Sequence, residues 1–124
     1  MDHVATDLAV TLPEDRSGIL AKAVNALSTA GINLEGHAEM KVVVHVLTTD
    51  LGATRRALES SGFKVIKEKQ VVLVAVENRP GSAAGLFRRI ADANVNIRFS
   101  YLATGTRLVI GADDLDELRA TLSP

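Results

Sequence analysis

The sequence predicts an α+β fold made of two tandem βαββαβ units. Each is expected to form an antiparallel sheet with its helices on one face, and the second lacks a last strand of its own. Three observations lead there. The chain matches itself when slid by 63 positions: Arg16 falls on Arg79, Gly18 on Gly81, Ala30 on Ala93, Asn33 on Asn96, Val46 on Val109 and Asp50 on Asp113. Arg56-Ala57 likewise falls on Arg119-Ala120. Apolar spacing alternates between a period near two and one near 3.6, the signatures of strands and of amphipathic helices. The sequence also stops at Pro124, directly after the second copy's second helical segment. The repeat divides the chain into a first domain, 1–69, and a second, 70–124.

In the first copy, Asp7 to Leu12 reads as a strand ended by Pro13. A helix signal begins near Ser17, where Leu20, Ala23, Val24 and Leu27 follow the i, i+3, i+4, i+7 spacing of one buried stripe. Gly31 ends it, and Asn94 stands at the matching place of the second copy. Glycine and asparagine best tolerate the left-handed conformation just past a helix end. Ile32 to Met40 and the β-branched run Val42 to Thr48 are expected to pair as a hairpin centred near Lys41, with His37 opposite His45. Asp50 is placed to cap a helix from Leu51 to Ser60, closed by Gly62, and Phe63 to Lys67 is the fourth strand.

The second copy runs in the same order. Val71 to Glu77 is a strand, and Ala83, Leu86, Phe87 and Ile90 make the helical stripe. Val95 to Ala103 and Arg107 to Ile110 flank a Thr104-Gly105-Thr106 turn. Asp113 is expected to cap a last helix that turns Leu115, Leu118 and Leu122 inward. This order is that of the ferredoxin-like arrangement. A missing fourth strand leaves an unpaired edge, which proteins normally cover. No Gly or Pro interrupts Phe63 to Glu77, so the fourth strand of one copy is expected to pass almost directly into the first of the next. Strand exchange between the copies, or edge pairing in a dimer, would then complete the second sheet.

Composition removes several function classes. A formal net charge of −1 gives no general attraction to nucleic acid or an anionic membrane, and 3% aromatic residues supply few base-stacking platforms. With no cysteine there is no disulfide, thiolate metal site or thiol nucleophile. There is neither a signal-peptide pattern at the N-terminus nor an apolar run near the roughly 20 residues of a membrane helix, so a cytoplasmic location is expected. His37, His45 and Glu39 have no recognised metal-ligand spacing. Ser82 stands one place too early in Gly81-Ser82-Ala83-Ala84-Gly85 for a nucleophile elbow, and no Walker A run occurs. No enzyme, metal or cofactor is expected.

The remaining candidates are the strand-to-helix turns, Asp15-Arg16-Ser17-Gly18 and Asn78-Arg79-Pro80-Gly81, together with Asn33 and Asn96 at the starts of later strands. Such a turn offers backbone N–H groups and the positive end of a helix dipole to a carboxylate. A glycine there lets a ligand approach the backbone, and an asparagine can serve either a carboxylate or an ammonium group. Asn78 and Asn96 would meet if the first two strands of the copy lie near each other. The same residues also have a purely conformational use: Asn78 to shape the turn, Pro80 to preset the first helical residue and Asn96 to satisfy a strand end.

Glu77-Asn78-Arg79-Pro80-Gly81, followed by Ala93-Asn94-Val95-Asn96-Ile97, resembles the ACT domain, most closely the serine-sensing ACT domain of phosphoglycerate dehydrogenase. The resemblance covers nearly the whole chain as two ACT units. It implies that Asn78 and Asn96 bind an effector amino acid, with Arg79 and Gly81 in the same turn. A histidine that precedes the turn in that relative is Val76 here, so the resemblance implies an amino acid without implying serine. In the first copy, Asp15 and Ser17 replace the asparagine and proline while Gly18 and Asn33 remain. Glu35 and His37 stand where the second copy has Arg98 and Ser100, so two pockets would not take identical ligands. The function implied is a non-catalytic regulatory protein, as a homodimer, with a protein partner. The alternative is an interaction or transcription-modulating subunit with degenerate pockets, resembling tandem ACT repressor-type proteins of glycine metabolism.

Overall fold

A computed structural model describes residues 2–13 and 17–123 of the chain. Asp15, and with it the first copy's version of the Asn78 position, lies outside the described residues. The described elements are β1 (Asp2–Thr11), α1 (Ile19–Thr29), β2 (Gly36–Met40), β3 (Val43–Leu47) and α2 (Leu51–Ser60). They continue as β4 (Lys64–Ala75), α3 (Ser82–Asp92), β5 (Ile97–Ala103), β6 (Arg107–Ala112) and α4 (Leu115–Leu122). The strands expected at Phe63–Lys67 and Val71–Glu77 are one strand, β4, as the lack of a breaker between them implies.

Two compact units result, one of Thr6–Lys69 and one of Met1–Ala5 with Gln70–Pro124. In the first, β3 pairs antiparallel with β1 on one side and β2 on the other. In the second, β6 pairs antiparallel with β4 and with β5. β1 also begins five residues before the expected Asp7, and its first residues belong to the second unit rather than the first. They are the segment that sequence periodicity leaves unassigned when the second copy ends without a fourth strand.

Each unit packs two helices on one face of its sheet. In the first, Leu8, Val10 and Leu12 join Val44 and Val46 beneath Ile19, Ala23 and Leu27 of α1 and Leu58 of α2. In the second, Val72, Leu108 and Ile110 meet Leu86 and Ile90 of α3 and Leu118 of α4, with Phe87, Leu115 and Leu122 packed around them. These stripes follow helical spacing, so local sequence places them. Past the helices, Gly31 and Asn94 hold φ of 74° and 58°, the left-handed stops expected of them. Ile32 N and Val95 N then donate to Leu27 O and Ile90 O.

The repeat is not uniform in space. Leu8 opposite Val46 corresponds to Val72 opposite Ile110, each 64 residues further on, whereas Gly18 and Gly81 are 63 apart. The turn before α3 is one residue shorter than that before α1. The Thr104–Thr106 hairpin is one residue longer than the Lys41–Val42 turn. A single shift of 63 therefore fits α1 and α3 but misplaces the third strand and second helix by one residue. Two expectations fail by one residue, the first because of that shift and the second because the first hairpin turns on two residues, Lys41 and Val42, and not on Lys41 alone. The cap of α4 is Asp114, whose carboxylate accepts from Glu117 N as Asp50 accepts from Ala53 N, and not Asp113. The first hairpin pairs Met40 with Val43, His37 with Val46 and Ala38 with His45, so the two histidines point to opposite faces. His45 Nδ1 instead lies 2.7 Å from Oδ2 of the buried Asp7. Among the described residues no cluster of three or more His, Cys, Asp or Glu could hold a metal.

Candidate functional site

The two strand-to-helix turns begin their helices differently from the other two helices. Gly18 and Gly81 are the N-caps of α1 and α3, with φ 91° at both and ψ of −13° and −17°. That left-handed geometry is one an L-residue adopts only with strain. Neither helix has a side-chain cap, whereas α2 and α4 start at Asp50 and Asp114 in extended conformation with carboxylate caps. A helix leaves its first N–H groups without intrahelical partners. At α2 and α4 an aspartate serves one of them; at α1 and α3 the cap residue is a glycine.

Asn78, Arg79, Pro80 and Gly81 are exposed in the turn after β4. Val76 N donates to Thr106 O at 3.0 Å, which anchors the end of the strand to the β5–β6 hairpin. Arg79 N donates to Glu77 O at 2.9 Å, and Arg79 Nε lies 2.9 Å from Glu77 Oε2. The turn is thus held by its own backbone and one exposed ion pair.

Asn96 stands at the other end of the unit. β4 and β5 are not neighbours, because β6 lies between them and runs antiparallel to both. Ala75 and Ala103 share a row with Arg107, while Ile97 faces Ala112. Five residues of β6 separate those rows, about 17 Å at ~3.3 Å per residue, with Asn78 and Asn96 beyond them on opposite sides. Within one unit they do not meet, because the condition for it, closeness of the copy's first two strands, is not fulfilled with β6 between them. Gly18 and Asn33 are likewise parted: Gly18 follows the Thr11–Val43 row, and Asn33 precedes the Gly36–Leu47 row.

Around Asn96 a small polar cluster has formed. Its Nδ2 donates to Asp113 Oδ2 at 3.0 Å, and Asp113 N donates back to Asn96 O at 3.2 Å. Arg98 Nε donates to Asp113 Oδ1 at 2.5 Å, and this hydrogen bond, with the carboxylate charge, raises the guanidinium pKa further. Asn96 and Arg98 are two residues apart, as strand alternation needs for a shared face, and both reach the same carboxylate. Asp113 was assigned to the wrong task by sequence. A two-aspartate run, Asp113-Asp114, was the available signal: one can cap the helix and the other is left for a second role.

Asn33 borders an open cleft of about 380 Å³ at the C-terminal end of α1, lined also by Val24, Leu27, Ser28, Gly31, Ile32 and Leu34.

No family model and no curated protein matches the sequence. Solved structures do. Protein BT0572 from Bacteroides thetaiotaomicron is 26% identical with a TM-score of 0.80, over 98% of this chain and 88% of that one. The ligand-free regulatory subunit of aspartate kinase from Thermus thermophilus is 18% identical with a TM-score of 0.61, over 98% of this chain and 97% of that subunit. Aspartokinase III from E. coli, solved with lysine and aspartate, is 12% identical with a TM-score of 0.60; 98% of this chain matches 30% of that enzyme. The chain therefore has the fold of a regulatory subunit taken whole, and matches only a part of the larger enzyme. No helix among the described residues is long and apolar enough to cross a membrane.

Proposed function

This chain is a tandem ACT-domain protein by its structural match, and from that premise we propose that it is a non-catalytic regulatory protein that binds a free amino acid at a strand–turn–helix end. The observation that carries this reading is the difference in helix starts. Two helices are capped by aspartate, and the two that begin the repeated turns are opened by left-handed glycines without a side-chain cap. A ligand carboxylate is the natural partner for such an end. Asn78, Arg79 and Gly81 form the second unit's version. Gly18 and Asp15 belong to the first. The likeness to a whole aspartate kinase regulatory subunit supports a regulatory role, and a protein partner would receive the signal.

The sheet register adds a condition. Asn78 and Asn96 lie at opposite ends of their unit, so an amino acid held by both takes Asn78 from one copy of the chain and Asn96 from a second. A homodimer is the proposed assembly.

Melting the protein against all twenty amino acids tests the reading. A ligand at 100 times its dissociation constant adds about 2.7 kcal/mol, a shift of several degrees at this size. Asn78→Ala should remove that shift, and so should Asn96→Ala. Co-expressing the two variants should restore part of it, because each mixed dimer keeps one intact pair. No shift with any amino acid would favour the interaction subunit with degenerate pockets. A shift that survives Asn78→Ala would move the site elsewhere.

A further inference from the structure

Three described residues other than glycine hold the left-handed conformation: Lys41 at φ 57°, Asn94 at 58° and Thr106 at 53°. Asn94 stops a helix, a place that asparagine suits. Lys41 and Thr106 stand at the tips of the β2–β3 and β5–β6 hairpins. Positions of positive φ in such turns are normally filled by glycine, asparagine or aspartate. Thr106 is the costlier choice, because its branched β-carbon is crowded against the backbone in that conformation.

Both tips make the same connection. Leu12 N donates to Val42 O at 2.7 Å, and Val76 N donates to Thr106 O at 3.0 Å, with both partners 64 residues further on. The first bond follows the Thr11–Val43 row of the β1–β3 ladder, and the second follows the Ala75–Arg107 row of the β4–β6 ladder. Beyond them the chain enters the turns that lead to Gly18 and Gly81. The tip carbonyl is therefore the final rung that holds each strand before its glycine turn. In the second unit Arg107 braces the tip from one side, donating from Nε to Thr104 O at 2.7 Å and from Nη2 to Thr104 Oγ1 at 3.1 Å. The turn itself continues with bonds from Arg79 N to Glu77 O and from Ser82 N to Arg79 O.

We propose that each hairpin tip is a strained catch that sets how firmly the neighbouring glycine turn is closed. In the closed form the tip carbonyl holds the strand end while Lys41 or Thr106 bears a left-handed backbone. In the open form that residue relaxes, the strand end is released and the turn loosens. Strain of this kind persists where its surroundings over-determine it, and it recurs at elements with two states. A ligand that binds the closed turn shifts the catch toward closure, and a closed catch favours the ligand in return. This regulatory step rests on the reading of the turn as a ligand site; the catch itself does not.

The test is amide hydrogen exchange of the whole protein, followed by NMR without ligand, in wild type and in Thr106→Gly, Thr106→Asn and Thr106→Val. Glycine and asparagine tolerate the left-handed backbone, whereas valine keeps the branched β-carbon and loses the hydroxyl. With glycine or asparagine, exchange at Val76 should slow about tenfold, the scale of the penalty removed from the closed form. Exchange at Arg79 and Ser82 should slow with it. In Thr106→Val all three amides should exchange as in wild type. Lys41→Gly should slow Leu12 in the same way and leave Val76 unchanged. An unchanged rate at Val76 in both Thr106→Gly and Thr106→Asn, slowing at Val76 without Arg79 and Ser82, or equal slowing in Thr106→Val would each overturn the catch. Any amino acid that raises the melting temperature through Asn78 should also slow Val76 in wild type, and a bound ligand that leaves Val76 unchanged would overturn the regulatory step. If no amino acid binds, the exchange rates still decide the catch, and the ligand reading falls alone.

Discussion

The ring of Phe99 lies so close over Gly111 that a β-carbon at Gly111 would stand 2.5 Å from its Cζ. The two are cross-strand partners in β5 and β6. The corresponding partners in the first unit are Gly36 and Leu47, with the small residue on the other strand. Each sheet thus fits one large side chain opposite one glycine, and the repeat has exchanged their places. Phe99 also stacks on Tyr101, with centroids 6.3 Å apart and planes 12° from parallel, so the ring has little freedom to retreat. Gly111→Ala should destabilise the protein by about 1–3 kcal/mol, the usual cost of overpacking. Adding Phe99→Leu should recover part of that loss. Urea unfolding of the single and double variants measures the coupling, and additive effects would show that the contact does not govern the site.

The two neighbouring aspartates before α4 should behave differently. Asp114→Ala removes the side-chain cap on Glu117 N and should cost about 1 kcal/mol of stability. Asp113→Ala leaves the cap in place but strips Asn96 and Arg98 of a shared acceptor. All three side chains of that cluster are exposed, so the melting temperature should move little. An amino-acid-induced shift that depends on Asn96 should change. Equal losses of stability from the two substitutions would contradict this division of labour.

Gly81→Ala isolates the effect of backbone conformation. A β-carbon at Gly81 meets no atom within 4 Å, so no packing penalty arises. The left-handed φ of 91° remains, and holding an alanine there should cost about 1–2 kcal/mol. The variant should also lose ligand stabilisation if a carboxylate approaches this helix end. Thermal melts with and without ligand read both effects. A stable variant with its ligand shift unchanged would remove the turn from the site.

His45 and Asp7 offer a measure of the first unit's interior. The Asp7 side chain is 2% exposed and that of His45 is 23% exposed. His45→Ala removes one hydrogen-bond partner from a buried carboxylate, a change that should cost about 1–3 kcal/mol. Chemical denaturation checks it, and an unchanged midpoint would mean that the other interactions of Asp7 suffice.

Much of the architecture was present in short-range signals. The buried stripe of α1, the cap at Asp50 and the left-handed stops at Gly31 and Asn94 each depend on residues within a turn or two of chain. Asp113 was harder, because two adjacent aspartates could cap α4 and only a one-residue difference in hairpin length chooses between them. The pairing of His37 with Val46 turns on the same kind of detail.

By itself, the sequence determined that one α+β unit is used twice, that two glycine turns open helices, and that the strand between the copies is unbroken. Hydrophobic period and turn chemistry carry that information locally. Only the tertiary structure decided which ends of the strands come together. It set β6 between β4 and β5, parting Asn78 from Asn96, grouped the start of β1 with the second unit, and brought Asn96, Arg98 and Asp113 into one cluster. Register between distant strands is fixed by the combined fit of turns, bulges and side-chain packing, and a difference of one residue moves a side chain to the other face of the sheet.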